Sequence, residues 1–127
     1  MKFAKWVFTL GGIWGLLIIG PMFFLEGAIA DQTQPFTHPD SYYGFLASTI
    51  MWQVGYLAIG RDPARFRPFM LIGAAGKLIF GGACWLLYAQ GRIPLSVPVV
   101  ATPDLILVVL YVTAWFKTRP AAAPAGA

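Results

Sequence analysis

Four apolar runs, each long enough to cross a hydrocarbon layer of ~30 Å as a helix, constrain this chain more than anything else in it. A window of ~19 residues places them at about 6–27, 42–60, 69–89 and 97–116. The second run holds no charged residue, and the first holds none until Glu26. The third and fourth are each interrupted once, by Lys77 and by Asp104. A water-soluble fold of 127 residues could not hide this much apolar surface: 58% of the chain is hydrophobic and 11% charged, against about 25% charged in an ordinary domain. The expectation is an all-α, polytopic membrane protein. Its single domain, residues 1–118, is an antiparallel four-helix transmembrane bundle, and the Pro- and Ala-rich residues 119–127 form a disordered tail.

Basic residues give the orientation. Lys2 and Lys5 precede the first run, Arg61, Arg65 and Arg67 separate the second from the third, and Lys117 and Arg119 follow the fourth. With four crossings these regions share one side, and Arg92 alone lies on the other. That bias predicts a cytoplasmic N-terminus and a cytoplasmic C-terminus in a cell inner membrane. It also accounts for the net charge of +4, which has no aromatic interleaving of the kind that marks nucleic-acid binding. The partner implied is the lipid bilayer, with a second copy or another membrane protein open. The first run could alternatively be a signal peptide, since Lys2 and Lys5 precede it and Ala28-Ile29-Ala30 has the form of a cleavage site. Its length, nearer 20 residues than the 7–15 of a signal core, favours a retained helix.

Local grammar supports the boundaries. Asp40 or Ser41 can N-cap the second helix, Asp62-Pro63 opens a tight link, and Pro68 suits the start of the third helix, where its missing N–H costs nothing. At an offset of 61 residues Gly12, Gly15 and Gly20 fall on Gly73, Gly76 and Gly81. That frame is compatible with a duplicated hairpin and equally with the general use of small residues in membrane helix packing. It predicts that the first and third helices pack through matching glycines.

Polar residues in or near the spans are the candidate site. Glu26 lies near the outer end of the first helix, and Asp104 roughly 10 Å into the fourth from the same side. With His38, Asp40, Tyr42 and Tyr43 they would form an outer cluster. Pro21 and Pro103 each free a helix carbonyl beside an acid, and bends there would open a small outward cavity. The fourth helix is expected from about Ser96, bending at Pro103. Lys77 sits roughly 15 Å from the cytoplasmic end of the third helix and Gln53 about 10 Å from that end of the second, so the two could hydrogen-bond. Lys77 and Asp104 differ in depth by roughly 10 Å on the same count, which makes their salt bridge a strained one. A mid-membrane ammonium costs ~3 kcal/mol on insertion scales and needs a partner or a function. The polar and ligand-binding candidates are thus Glu26, His38, Tyr43, Trp52, Gln53, Lys77 and Asp104.

Several chemistries lack their residues. One histidine cannot make a bis-His haem, and one cysteine with one histidine cannot make a zinc site of usual ligation. Cys84, inside an apolar run, reads as a buried small hydrophobe. No catalytic triad, phosphate-binding glycine loop or paired-carboxylate motif is present, and no cofactor is implied. The length matches small multidrug transporters, but their proton-binding Glu lies mid-span in the first helix, unlike Glu26.

The stretches His38-Pro39-Asp40-Ser41-Tyr42-Tyr43-Gly44-Phe45, Trp52-Gln53, Arg61-Asp62-Pro63-Ala64-Arg65-Phe66-Arg67-Pro68 and Lys77-Leu78 broadly resemble the DoxX-like plan of small four-helix bacterial inner-membrane proteins of unknown function. The resemblance implies a bacterial inner membrane and brings no catalytic residues. Three roles stay open: a noncatalytic assembly or interaction module, a binder or carrier of a small lipophilic or protonatable ligand in the outward cavity, and, on the resemblance alone, a redox-linked membrane subunit.

Overall fold

The structure, a computed structural model, describes residues 1–32 and 37–119. Among these all the regular structure is helical: α1 (Lys2–Ile19), a 3₁₀ turn (Gly20–Phe24), α2 (Glu26–Gln32), α3 (Pro39–Arg61), α4 (Arg67–Ala89) and α5 (Ser96–Lys117). The expected disordered tail lies, from Pro120 on, outside the described residues.

Three helical stretches are long and apolar enough to cross a membrane: Lys2–Phe24, Arg67–Ala89 and Ser96–Lys117. The expected second span is the one missing from that set. α3 has the length, at 23 residues, but Tyr42, Tyr43, Ser48, Thr49, Gln53 and Tyr56 lower its mean hydropathy. The first run is also less continuous than expected. It starts earlier, at Lys2, and tightens into a 3₁₀ turn at Gly20, because Pro21 has no N–H to continue the α-helical ladder. Leu25 then leaves helical geometry, with φ −121° and ψ 22°, and Glu26 opens the separate helix α2. α3 begins before Asp40: His38 is the N-cap and Pro39 lies in the first turn, where its fixed φ is already helical. Asp40 stays in that turn, where a carboxylate suits the helix dipole. α5 does start at Ser96 and carries Pro103 within it.

Neighbouring helices run antiparallel. On α1 and α3, Thr9 meets Gly60, Gly15 meets Gln53, and Phe23 meets Tyr43, so numbers rise on one helix as they fall on the other. α4 and α5 pair in the same sense, from Arg67 with Trp115 through Lys77 with Asp104 to Trp85 with Thr102. α1 also packs on α5 through Phe8 and Tyr111, and α3 on α4 through Tyr56 and Gly73. α1 and α4 have no close backbone approach to one another.

The inward residues recur every three or four positions: Ala4, Phe8, Gly11, Gly12 and Gly15 on α1, and Met70, Gly73, Ala74, Lys77, Gly81 and Cys84 on α4. That is one helix face, and on both helices it is rich in small residues that admit a neighbour closely. The opposite faces present Trp6, Leu17, Ile79, Val100 and Val109, each more than half exposed. A surface so uniformly apolar suits hydrocarbon, and the chain is read as a membrane protein.

The matching glycines do not bring α1 and α4 together. Gly12 takes Leu57 and the Gln53 carbonyl of α3, and Gly73 takes the Tyr56 ring, so that pair plays equivalent parts. Gly15 is packed by the Gln53 side chain, whereas its counterpart Gly76 faces open space. Gly20 is open, and its counterpart Gly81 is filled by Leu105. The glycine frame repeats in sequence more fully than in packing.

Candidate functional site: a charged centre between the helices

Lys77 is buried on α4, with 7% of its side chain exposed, and its Nζ donates a hydrogen bond to Asp104 Oδ1 of α5 at 2.8 Å. Among the described residues this is the one salt bridge. The depths match better than sequence spacing implied. Lys77 lies ten residues into α4 and Asp104 thirteen from the end of α5, an offset of about 5 Å that a lysine stem spans without strain.

The ammonium also lies over two aromatic faces, 5.1 Å from the Tyr56 ring centroid and 6.0 Å from that of Tyr111. Ring quadrupoles attract a cation at these distances, most strongly where water is excluded. Tyr111 stacks on Phe8 at 4.1 Å with 17° between planes, and Tyr56 leans on Tyr111 at 5.1 Å. Each long helix therefore contributes to one centre: Phe8 from α1, Tyr56 from α3, Lys77 from α4, and Asp104 with Tyr111 from α5. Carboxylate and rings together offset the desolvation of the ammonium. Asp104 keeps 30% of its side chain exposed, so the pair reaches the rim of the core.

Two buried polar atoms in this region have no hydrogen-bond partner, Gln53 Oε1 and the Tyr111 hydroxyl. Both rest against glycines of α1. The Tyr111 oxygen would sit 2.6 Å from a Cβ on Gly11, and Gln53 fills the place a Cβ on Gly15 would take. Gln53 does not bond Lys77; its Nε2 donates to the Thr49 carbonyl at 3.1 Å, one turn back on its own helix.

The outer residues form a separate set. Tyr43 donates to Glu26 Oε2 at 2.7 Å, and Tyr42 donates to the Met22 carbonyl at 2.6 Å, so the start of α3 is tied to the 3₁₀ turn and to α2. Asp104 is committed to Lys77 instead. His38 is exposed beside the Thr37 hydroxyl. Trp52 faces outward from α3, 38% exposed, with its ring 6.0 Å from Tyr56. Near Pro103, Thr102 donates to the Pro98 carbonyl and accepts from Trp85 Nε1, a polar tie between α4 and α5.

Tyr56 and Tyr111 are the site residues the sequence reading passed over. A usable pattern was present: Tyr56 follows Gln53 by three residues and Tyr111 follows Asp104 by seven, each spacing returning to the same helix face. Chemically the centre holds a neutralised ion pair in an aromatic shell, an arrangement that joins helices. No family model matches the chain, and no curated protein and no solved structure matches it either.

Proposed function

We propose that the chain is a noncatalytic assembly or interaction module, folded as an antiparallel four-helix transmembrane bundle of broadly DoxX-like plan in a bacterial inner membrane. Both termini would face the cytoplasm, with α3 as the fourth, more polar span. The observation that carries this reading is the Lys77–Asp104 pair at 2.8 Å. The two charges inside the apolar segments satisfy each other across α4 and α5, and the rings of Tyr56 and Tyr111 close over the ammonium. Such a pair holds helices in register. Outward faces of large apolar side chains remain for lipid, a second copy or a membrane partner.

Lys77→Met and Asp104→Asn test the proposal in purified, detergent-solubilised protein. Both variants should melt well below the parent and lose any self-association seen in its native mass spectrum. A second reading, a binder or carrier of a small lipophilic or protonatable ligand, is favoured by the two unpartnered atoms on Gln53 and Tyr111, which could hold its polar group. It gains if a nonlipid molecule copurifies with the parent and is lost in Asp104→Asn while the melt is unchanged.

A further inference from the structure

The seam between α3 and α4 is open laterally, on the surface of the bundle. A trough of about 190 Å³ lined by Trp52, Gly55, Ala58, Ile59, Phe66 and Phe69 is contiguous, through Trp52, Gly55 and Phe69, with a second of about 340 Å³ that reaches Ser48 and Met51. From Ser48 to Ile59 it follows α3 for about 16 Å, close to half of a ~30 Å hydrocarbon layer. It therefore has the depth of a single leaflet. Its floor is a glycine: a Cβ at Gly55 would meet nothing closer than the Trp52 ring at 4.0 Å.

One end of the trough is basic. Phe66, which lines it, carries the Arg65 guanidinium over its ring at 5.4 Å, and Arg61 lies one turn past Ala58. Both arginines are exposed, and neither is in an ion pair among the described residues. Arg67, by contrast, is spent on the Trp115 carbonyl. The one carboxylate in this link, Asp62, accepts the Arg65 backbone N–H at 3.4 Å. An apolar slot one leaflet long, with the Arg65 guanidinium at its end and Arg61 one turn past its lining, matches a molecule with an acyl chain and an anionic head. Basic sites between helices on the cytoplasmic side recognise such headgroups, and guanidinium suits phosphate oxygens.

We propose that the α3–α4 seam binds an anionic phospholipid of the cytoplasmic leaflet, with an acyl chain along Trp52, Gly55 and Phe69 and its phosphate on Arg61 and Arg65. This rests on the membrane reading above, with the α3–α4 link cytoplasmic. The test is native mass spectrometry of the full chain in mild detergent, titrated with phosphatidylglycerol or with phosphatidylcholine of the same acyl chains. The parent should retain phosphatidylglycerol roughly 10- to 30-fold more strongly, the share two arginines contribute at an anionic surface. Arg61→Gln combined with Arg65→Gln should reduce that retention to the phosphatidylcholine level. Gly55→Leu, which fills the trough, should weaken both lipids together.

Equal retention of the two lipids by the parent overturns the proposal, as does a double variant that keeps the preference. If Gly55→Leu leaves retention unchanged, or instead dissolves a dimer of the parent, the trough holds no lipid. Should Gly55→Leu fail to fold, the arginine variants, both at exposed positions, still decide. Retention of the chain in carbonate-washed membranes reports the membrane reading separately, so the two failures are distinguishable.

Discussion

Lys77 of α4 and Asp104 of α5 meet at 2.8 Å although 27 residues separate them, because the two helices run antiparallel from a short turn. A single substitution leaves the other charge stranded in an apolar setting, whereas replacing both removes the problem. Breaking a fully buried pair costs about 3–5 kcal/mol, and the partial exposure of Asp104 discounts this to about 2–3 kcal/mol. Lys77→Met or Asp104→Leu alone should lower the melting temperature clearly, and the double variant should recover most of the loss. A thermal melt of the three proteins in one detergent checks this. Additive losses would mean that the pair is not coupled.

Gly15 and Gly76 occupy matching places in the glycine frame and should respond oppositely. At Gly15 a larger side chain collides with Gln53, wedged between α1 and α3, and overpacking of that kind typically costs about 1–3 kcal/mol. At Gly76 there is open space. Gly15→Leu should destabilise the chain strongly, and Gly76→Leu should stay within about 0.5 kcal/mol of the parent, as surface changes do. Gln53→Ala in the Gly15→Ala background should restore part of the loss. An equal effect at both glycines, read by the same melts, would contradict the packing.

The contrast shows what could be read from the sequence. Length and hydropathy place the ends of α3, α4 and α5 within three residues, because apolar runs are local properties, whereas the first run, expected at 6–27, breaks at Pro21 and Leu25. Lys77 and Asp104 stood out because a charge in an apolar run is conspicuous anywhere. Partner choice was not legible in the same way. Gly15 and Gly76 share a spaced frame, with a glycine three residues before each and Leu-Ile two and three after, and nothing in that frame says that α3 lies beside Gly15 while Gly76 is left open. The cavity expected from Glu26 and Asp104 together failed to account for register: the antiparallel pairing delivers Asp104 to Lys77 and leaves Glu26 with Tyr43. Tyr56 and Tyr111 were passed over because a tyrosine in a span looks ordinary until a cation is placed on its face.

Arg67 ties the start of α4 to the end of α5. Its Nε and Nη2 both donate to the Trp115 carbonyl, at 3.2 and 3.0 Å, and its guanidinium lies 4.2 Å from the Trp115 ring. That carbonyl belongs to the last turn of α5, where helix acceptors lack backbone partners, and it accepts otherwise from the Thr118 hydroxyl at 3.2 Å. Lysine keeps the charge but not the planar fork or the stacking. Arg67→Lys should therefore cost about 1–2 kcal/mol, seen as a lower melt with unchanged insertion. A melt equal to the parent's would show that charge alone suffices.

The number of crossings rests on α3. If α3 spans, the chain crosses four times and the N-terminus, the α3–α4 link and the C-terminus share a side. Were it to lie in the interface instead, the three crossings left would put the link and the N-terminus on opposite sides, and likewise the two termini. Its packing favours spanning: α3 meets α1 from Lys5 and Gly60 at one end to Phe23 and Tyr43 at the other, so it reaches the same depth as a helix apolar enough to cross. In a Cys84→Ala background, Lys2→Cys, Arg65→Cys and Arg119→Cys should all resist a membrane-impermeant thiol reagent applied to intact cells, while Asp40→Cys and Arg92→Cys should react. Labelling at Arg119→Cys but not at Lys2→Cys would mean an odd number of crossings, and α3 would then be the helix to remove from the count.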